Sequence, residues 1–237
     1  KRESGVALTT LGFGRDNYND ELAEHLADIG NGNHAYIDRL DEARKVLVDE
    51  MSSTLLTIAS DVKIQIEFNP NVVAEYRLLG YENRALNRED FNNDKVDAGE
   101  IGAGHDVTAL YEVSLVGSAA TQVEPLRYAA SAVSTPSGDE LAWLKLRYKP
   151  KTDAPSRLIE QPIRRDAQRA TPSARLNLAA NAAAFAELLR GDGRLGAYSW
   201  RELQSSLQAQ KGESDPAQTQ ALLDLVTRAA NLQATGH

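Results

Sequence analysis

The stretch from Asp90 to Glu100 holds the chain's densest set of hard oxygen ligands: Asp90, Asn92, Asp94, Asp97 and Glu100. Carboxylate and amide oxygens at alternate positions are what a calcium ion takes. The opening Asp90-x-Asn92-x-Asp94 follows an EF-hand loop and then departs from it. The position where that loop turns on glycine is Lys95, and the position of its bidentate glutamate is Ile101. Without that spacing the segment reads as a solvated turn, its Asp and Asn side chains capping nearby backbone N–H groups. Gly99, Gly102 and Gly104 follow. A phosphate cradle would need Gly-Lys-Ser/Thr and a helix N-terminus after them, and neither is present, so turn or bulge geometry is expected.

Nucleophilic and metal chemistry have equally little to work with. His25, His34, His105 and His237 form no His-x-x-x-His pair, and no serine sits in a Gly-x-Ser-x-Gly elbow. His25 reads as a helix-surface residue, and His105 has no nameable nucleophile or orienting group beside it. Zero cysteines exclude disulfides, thiolate zinc sites and cysteine nucleophiles. Arg190-Gly191-Asp192 spells an adhesion tripeptide, but it falls at a predicted helix C-terminus where glycine has a structural reason. Phe185 and Trp200 read as core anchors and Arg164-Arg165 as a solvated pair. No catalytic, cofactor-binding or metal-ligating residue is assigned in this chain.

The bulk properties are those of an ordinary globular chain. Of 237 residues, 42% are hydrophobic and 25% charged, enough for one large or two small cores. A net charge of −8 with no Lys/Arg cluster argues against nucleic acid as a partner. No apolar run approaches the ~20 residues of a membrane span. The first residues run straight into a strand pattern, so the chain is expected to begin in mid-domain.

The elements that would position these residues fall into three stretches. Val6–Leu11 reads as a buried strand. A helix follows from Asp20, capped by Asn19, with Leu22, Leu26 and Ile29 on one face and Gly30 as its stop. His34–Ile37 is a second short strand, parallel to the first. A long helix from Leu40 puts Leu40, Ala43, Leu47, Met51 and Leu55 on one stripe. From about Ala59 the pattern changes to period two. Val62, Ile64, Ile66 and Phe68 alternate with Asp61, Lys63, Gln65 and Glu67, and Asn69-Pro70-Asn71 makes a turn.

Strands are further expected over Val72–Tyr81, His105–Val116, Leu141–Tyr148 and Leu158–Ile163, the last an edge strand because of Pro162. The His105–Val116 strand should be central, with Val107, Ala109, Tyr111, Val113 and Leu115 inward. From Thr171-Pro172 the chain turns helical, with stops at Gly191 and Gly212, a capping box at Ser199–Glu202 and a last helix from Asp215-Pro216. The expected class is α+β in three parts: an α/β part over 1–58, an antiparallel β-sandwich-like part over 59–165, and a three-helix unit over 166–237.

Several of these stretches resemble known proteins. Gly5–Gly14, Leu22–Ala27 and Gly30–Ile37 resemble the penultimate strand, following helix and final strand of a von Willebrand factor A domain. Asp49-Glu50-Met51, Val62–Pro70, Tyr76–Arg84 and Asn92–Glu112 resemble the YfbK-like bacterial proteins, uncharacterised envelope proteins described as lipoproteins. In them an A domain is followed by a C-terminal region of unknown function. The resemblance covers most of the chain and weakens after about Ala170. It implies an extracytoplasmic or cell-envelope location, a protein partner, and a divalent cation such as magnesium in the A domain. The Asp-x-Ser-x-Ser motif, threonine and second aspartate of that site would lie upstream of Lys1, so none is carried onto this chain. The expected role is protein interaction or scaffolding without catalysis, with self-association through open sheet edges. The alternatives are a calcium or small-ligand module on the 90–105 loop, and an accessory part of an enzyme whose active groups lie upstream.

Overall fold

The computed structural model describes residues 7–14, 18–30, 32–50, 56–80, 86–96, 98–119, 121, 139–151, 154–191, 193–210 and 216–235. Met51, Leu55, Asp97, Pro125, Ser134–Gly138, Asp192, Gly212, Asp215 and His237 lie outside them. The architecture is mixed α and β in two compact units that interleave along the sequence. One comprises Lys1–Phe68, Arg84–Val107 and Ala142–Ile163; the other comprises Asn69–Asn83, Thr108–Leu141 and Arg164–His237.

The first unit opens with a strand–helix–strand motif. Strand β1 (Thr10–Phe13) and strand β2 (His34–Ile37) pair in parallel from Thr10↔His34 to Phe13↔Ile37, with helix α1 (Asp20–Ile29) between them in the chain. The strand starts at Thr10, later than the apolar run from Val6, because the Leu8 N–H bonds to the Gly30 carbonyl at the helix end instead of to β2. Asn19 caps α1 as its sequence predicts, accepting from the Leu22 N–H at 2.9 Å. The expected burial of its leucine stripe is reversed. Leu22, Leu26 and Ile29 are 53, 42 and 49% exposed, whereas Ala27 is buried. Helix α2 (Leu40–Arg44) runs into one π-helical turn, Lys45–Asp49, closed by Glu50 N–H to Lys45 O at 2.9 Å. An i→i+5 turn moves the following side chains off a 3.6-residue stripe. Leu40, before that turn, and Leu47, within it, are 87 and 45% exposed and form no buried face.

The same unit holds a four-stranded sheet in the order β5-β3-β7-β8, formed by β3 (Thr57–Phe68), β5 (Gly99–Gly102), β7 (Glu140–Lys149) and β8 (Arg157–Arg164). Strand β3 is antiparallel to both neighbours, and β8 lies at the edge, where Pro162 withdraws no needed donor. The expected apolar face of β3 is only half-buried at Val62, Ile66 and Phe68, and at its middle the expectation is inverted. Lys63 is 2% exposed and Ile64 is 51% exposed. Two features explain this. Asp61 adopts φ 51, and the β3–β7 register slips between Ser60 and Lys63, which marks a bulge. The turn at 88–93 then covers Lys63, with Phe91 buried. Part of the 90–105 loop, expected to be only a turn, is itself strand β5.

The second unit contains an antiparallel ribbon of β4 (Val73–Leu79) and β6 (Leu110–Leu115), entered through a turn in which the Asn69 side chain accepts from Asn71 N–H. Strand β6 is shorter than its alternating pattern and is not central. Val107 and Ala109 precede it in exposed chain, and β4 is its sole neighbour among the described residues. Three helices complete the unit: α3 (Ala174–Arg190), α4 (Trp200–Ala209) and α5 (Pro216–Thr235). Ser173, not Thr171, caps α3, accepting from Leu176 N–H at 3.2 Å. Gly191 ends it at φ 68, the left-handed conformation a helix stop requires. The capping box on Ser199 and Glu202 forms as expected. Leu203, Leu207, Leu223 and Val226 make the buried cluster on which Phe185 and Trp200 pack edge to face at 5.9 Å.

The Asp61 bulge yields a stability test. A β-carbon at positive φ costs about 1–2 kcal/mol, less for Asp and Asn, and glycine has none. Asp61 also pairs with Lys149 at 2.6 Å, both side chains being less than a fifth exposed. Asp61→Ala should lower unfolding free energy by about 1–3 kcal/mol. Asp61→Gly should recover part of that loss by relieving the backbone alone. Urea midpoints of the three proteins, at unchanged m-value, check the order.

Candidate functional site

The acidic loop lies over the covered face of the sheet, and its oxygens are directed at the protein's own cations. The Lys63 ammonium donates to the carbonyl oxygens of Asp90 at 3.2 Å and Asn93 at 2.6 Å. Lys149 donates to the Asp94 carbonyl at 3.1 Å. Arg147 donates to Asn92 Oδ1 at 3.0 Å and to Ser156 Oγ at 2.8 Å, with its guanidinium 5.6 Å from the Phe91 ring centre. Of the five candidate ligands, the Asp90 carboxylate accepts from the Asn87 amide and Glu100 sits half-buried on β5. A calcium ion needs about 6–8 oxygens converging within ~2.6 Å. Here the Asp90, Asn93 and Asp94 backbone carbonyls and the Asn92 amide oxygen go to three separate basic side chains, and a lysine occupies the carbonyl-lined position. Among the described residues, no three His, Asp or Glu side chains converge on a metal position.

This arrangement sets the charge of Asp94. A hydrogen bond from the Ser156 side chain holds its carboxyl below the ordinary carboxylate range, aided by the positive charges of Lys149 and Arg147. The glycines serve conformation only. Gly99 and Gly102 lie within β5, Gly104 takes φ 78, and no helix N-terminus follows. His105 is exposed, its backbone N–H bonded to Gly102 O, and His25 is exposed on α1.

A second cluster escaped the sequence reading. His34 on β2 has Thr10 Oγ1 at 3.0 Å from Nδ1, and both Tyr18 OH and Asp20 Oδ1 at 3.0 Å from Nε2. A hydroxyl, an imidazole and a carboxylate in that order form the parts of a proton relay. The Thr10 hydroxyl, however, also donates to the Ala23 carbonyl at 2.9 Å, which ties it to the helix. The cluster joins β1, β2 and the start of α1, and its chemistry is that of a clasp. Partial burial, the Asp20 charge and Tyr36 together push the Tyr18 phenol up. Nothing in the sequence spacing of Thr10, Tyr18, Asp20 and His34 announces this set, because the parallel pairing brings it together.

In the second unit, Arg77 on β4 pairs with Glu112 on β6 and with Glu187 on α3, the latter at 3.3 Å. Glu187 is 3% exposed at its side chain and also holds Arg190 at 3.2 Å. Burial alone would lower the Arg77 pKa, but the two carboxylates outweigh it and keep the guanidinium charged. The arginine of the Arg190-Gly191-Asp192 tripeptide is therefore engaged inside its own unit. Arg164 and Arg165 are exposed, as their sequence suggests.

Two outcomes follow from the loop. Asp94 has a depressed folded pKa, so its contribution to stability is present above the unfolded value of about 4 and is lost as pH falls through the lower folded value. Ser156→Ala should flatten the acid limb of unfolding relative to the wild type, read as melting temperature from about pH 6 down to about pH 2.5. Millimolar calcium should leave the melting temperature unchanged, because it would have to displace Lys63 from its carbonyls.

Comparison with known proteins supplies the family. The family model described as "Uncharacterized protein YfbK, C-terminal" matches residues 53–232. The "Uncharacterized protein YfbK" of Escherichia coli (strain K12) is 47% identical over 218 residues, which are 91% of this chain and 37% of that protein. The chain thus spans little more than a third of the length of the relative it matches. No solved structure matches it. The match over most of its length, including the sheet and all three C-terminal helices, makes this chain a member of the YfbK C-terminal family.

Proposed function

We propose that this chain is a non-catalytic interaction and scaffolding part of a longer cell-envelope protein. Its 1–58 stretch is read as the end of a von Willebrand A domain, and the divalent cation that binds partners belongs to the part of that domain outside these residues. The parallel β1–β2 pair with α1 between them supports the first reading. The location, the lipoprotein character and the magnesium requirement rest on the family resemblance. The 59–165 and 166–237 stretches, read as sandwich-like and three-helical parts, would present the domain to partners.

One observation carries the interaction role. In the sheet of the first unit Lys63 is buried, whereas the neighbouring Ile64 faces outward among half-buried apolar residues. Ile64 is 51% exposed, paired across the ladder with Leu146, with Ile66 opposite Leu144 beside it. Exposed apolar surface on a sheet face is a common mark of an interaction site. In the acidic loop, by contrast, three backbone carbonyls and the Asn92 amide oxygen are taken by Lys63, Arg147 and Lys149, which favours this reading over a calcium module.

The test uses the full-length family protein. It should capture a protein partner in magnesium and release it on chelation. Ile64→Glu should weaken capture by about tenfold or more while leaving the melting temperature within a few degrees. A full-length protein with no metal-dependent partner, or one whose capture ignores Ile64→Glu, would remove the support for this role.

A further inference from the structure

Helix α1 turns its most apolar side chains away from the element it rests on. At 100° per residue, Leu22, Leu26 and Ile29 fall within about 60° of one another, and Ala27 lies about 100–160° round the helix from them. Ala27 is 1% exposed, whereas the three larger residues are 42 to 53% exposed. The helix therefore contacts its own motif through alanine and offers leucine and isoleucine outward. The strands beside it are in the same condition. Leu11 and Phe13 on β1 are 36 and 60% exposed, and Leu8 just before β1 is 47% exposed. Parallel strands occur almost only in sheets covered on both faces, and a two-stranded sheet is not an independently stable unit.

Three occupants could cover the stripe: a second copy of this chain, a separate protein, or more of the family's own longer chain. Charge argues against a second copy. Helix α1 carries Asp20, Glu21, Glu24 and Asp28 and no lysine or arginine, so two copies packed stripe to stripe would set like charges along each other's flanks. Length argues for the third occupant, since the E. coli relative carries this same segment within a chain of which these residues align to 37%.

We infer that the α1 stripe Leu22–Leu26–Ile29 is an intramolecular seam, covered in the full-length family protein by chain outside these 237 residues. This rests on the proposed reading of residues 1–58 as part of a larger domain, and it does not depend on any partner.

Hydrogen exchange separates the possibilities. In the full-length protein, α1 amides should exchange at least about tenfold more slowly than in the 237-residue chain, independently of protein concentration. Leu26→Asp should abolish that difference in the full-length protein and change little in the short chain, where the side chain is already in water. Equal exchange rates in the two proteins would overturn the inference. So would slowing of exchange that rises with concentration, which indicates a second copy, or that appears only with an added partner. A full-length protein that protects α1 but captures no partner in magnesium would uphold the seam while removing the adhesion role, so the two readings fail separately.

Discussion

A lysine ammonium taken out of water must be given oxygen ligands, and the first unit is arranged around that requirement. Lys63 is almost fully buried on β3, and two backbone carbonyls of the 88–96 segment receive it. An unpaired charge at that depth would cost several kcal/mol. The loop, the bulge at Asp61 and the cationic residues of β7 follow from it. Lys63 stands directly opposite Arg147 in the ladder, a like-charge pairing that is unfavourable unless something negative or dipolar lies over it. The loop supplies carbonyl dipoles and the Asn92 amide oxygen, Asp61 supplies a carboxylate to Lys149, and Ser156 holds Asp94 ionised within reach of Lys149 and Arg147. What reads in the sequence as an acidic cation-binding loop is a loop that binds cations belonging to the sheet.

The parts legible from sequence are those set by local chemistry. Asn19, Ser199–Glu202 and Gly191 announce helix ends through side-chain and backbone geometry that involves only near neighbours, and each forms as read. Pro162 announces an edge, and β8 is one. The period of β3 is legible too. Which of its faces is covered was not, because a strand's alternation names two faces and leaves the choice to whatever packs on them. A 3₁₀ turn carrying Phe91, some thirty residues downstream, made that choice. The same limit applies to α1, where an amphipathic stripe shows that a helix wants a partner without saying that the partner is within the described residues.

Clusters that join distant segments were the least legible. His34 meets Thr10, Tyr18 and Asp20 only because β1 and β2 pair in parallel with α1 returning between them. Arg77 and Glu187 are separated by more than a hundred residues and meet where a ribbon and a helix of the second unit come together. Neither set has a spacing that a motif could capture. Each has one well-buried member, His34 or Glu187, and is fixed by its partners rather than by its position in the sequence.

The interleaving of the two units has a consequence for how the protein can be made. Strand β3 waits for β7, which leaves the ribosome about seventy residues later, and the helices of the second unit follow later still. At roughly 5–20 residues per second, β3 spends several seconds without its central neighbour. During that interval β5 and the Arg88–Asn92 turn are its partners among the described residues, with Phe91 and the Asp90 and Asn93 carbonyls over Lys63. A nascent chain stopped anywhere between β4 and β7 would complete neither unit, and an internal cut there would release two incomplete pieces in place of two domains.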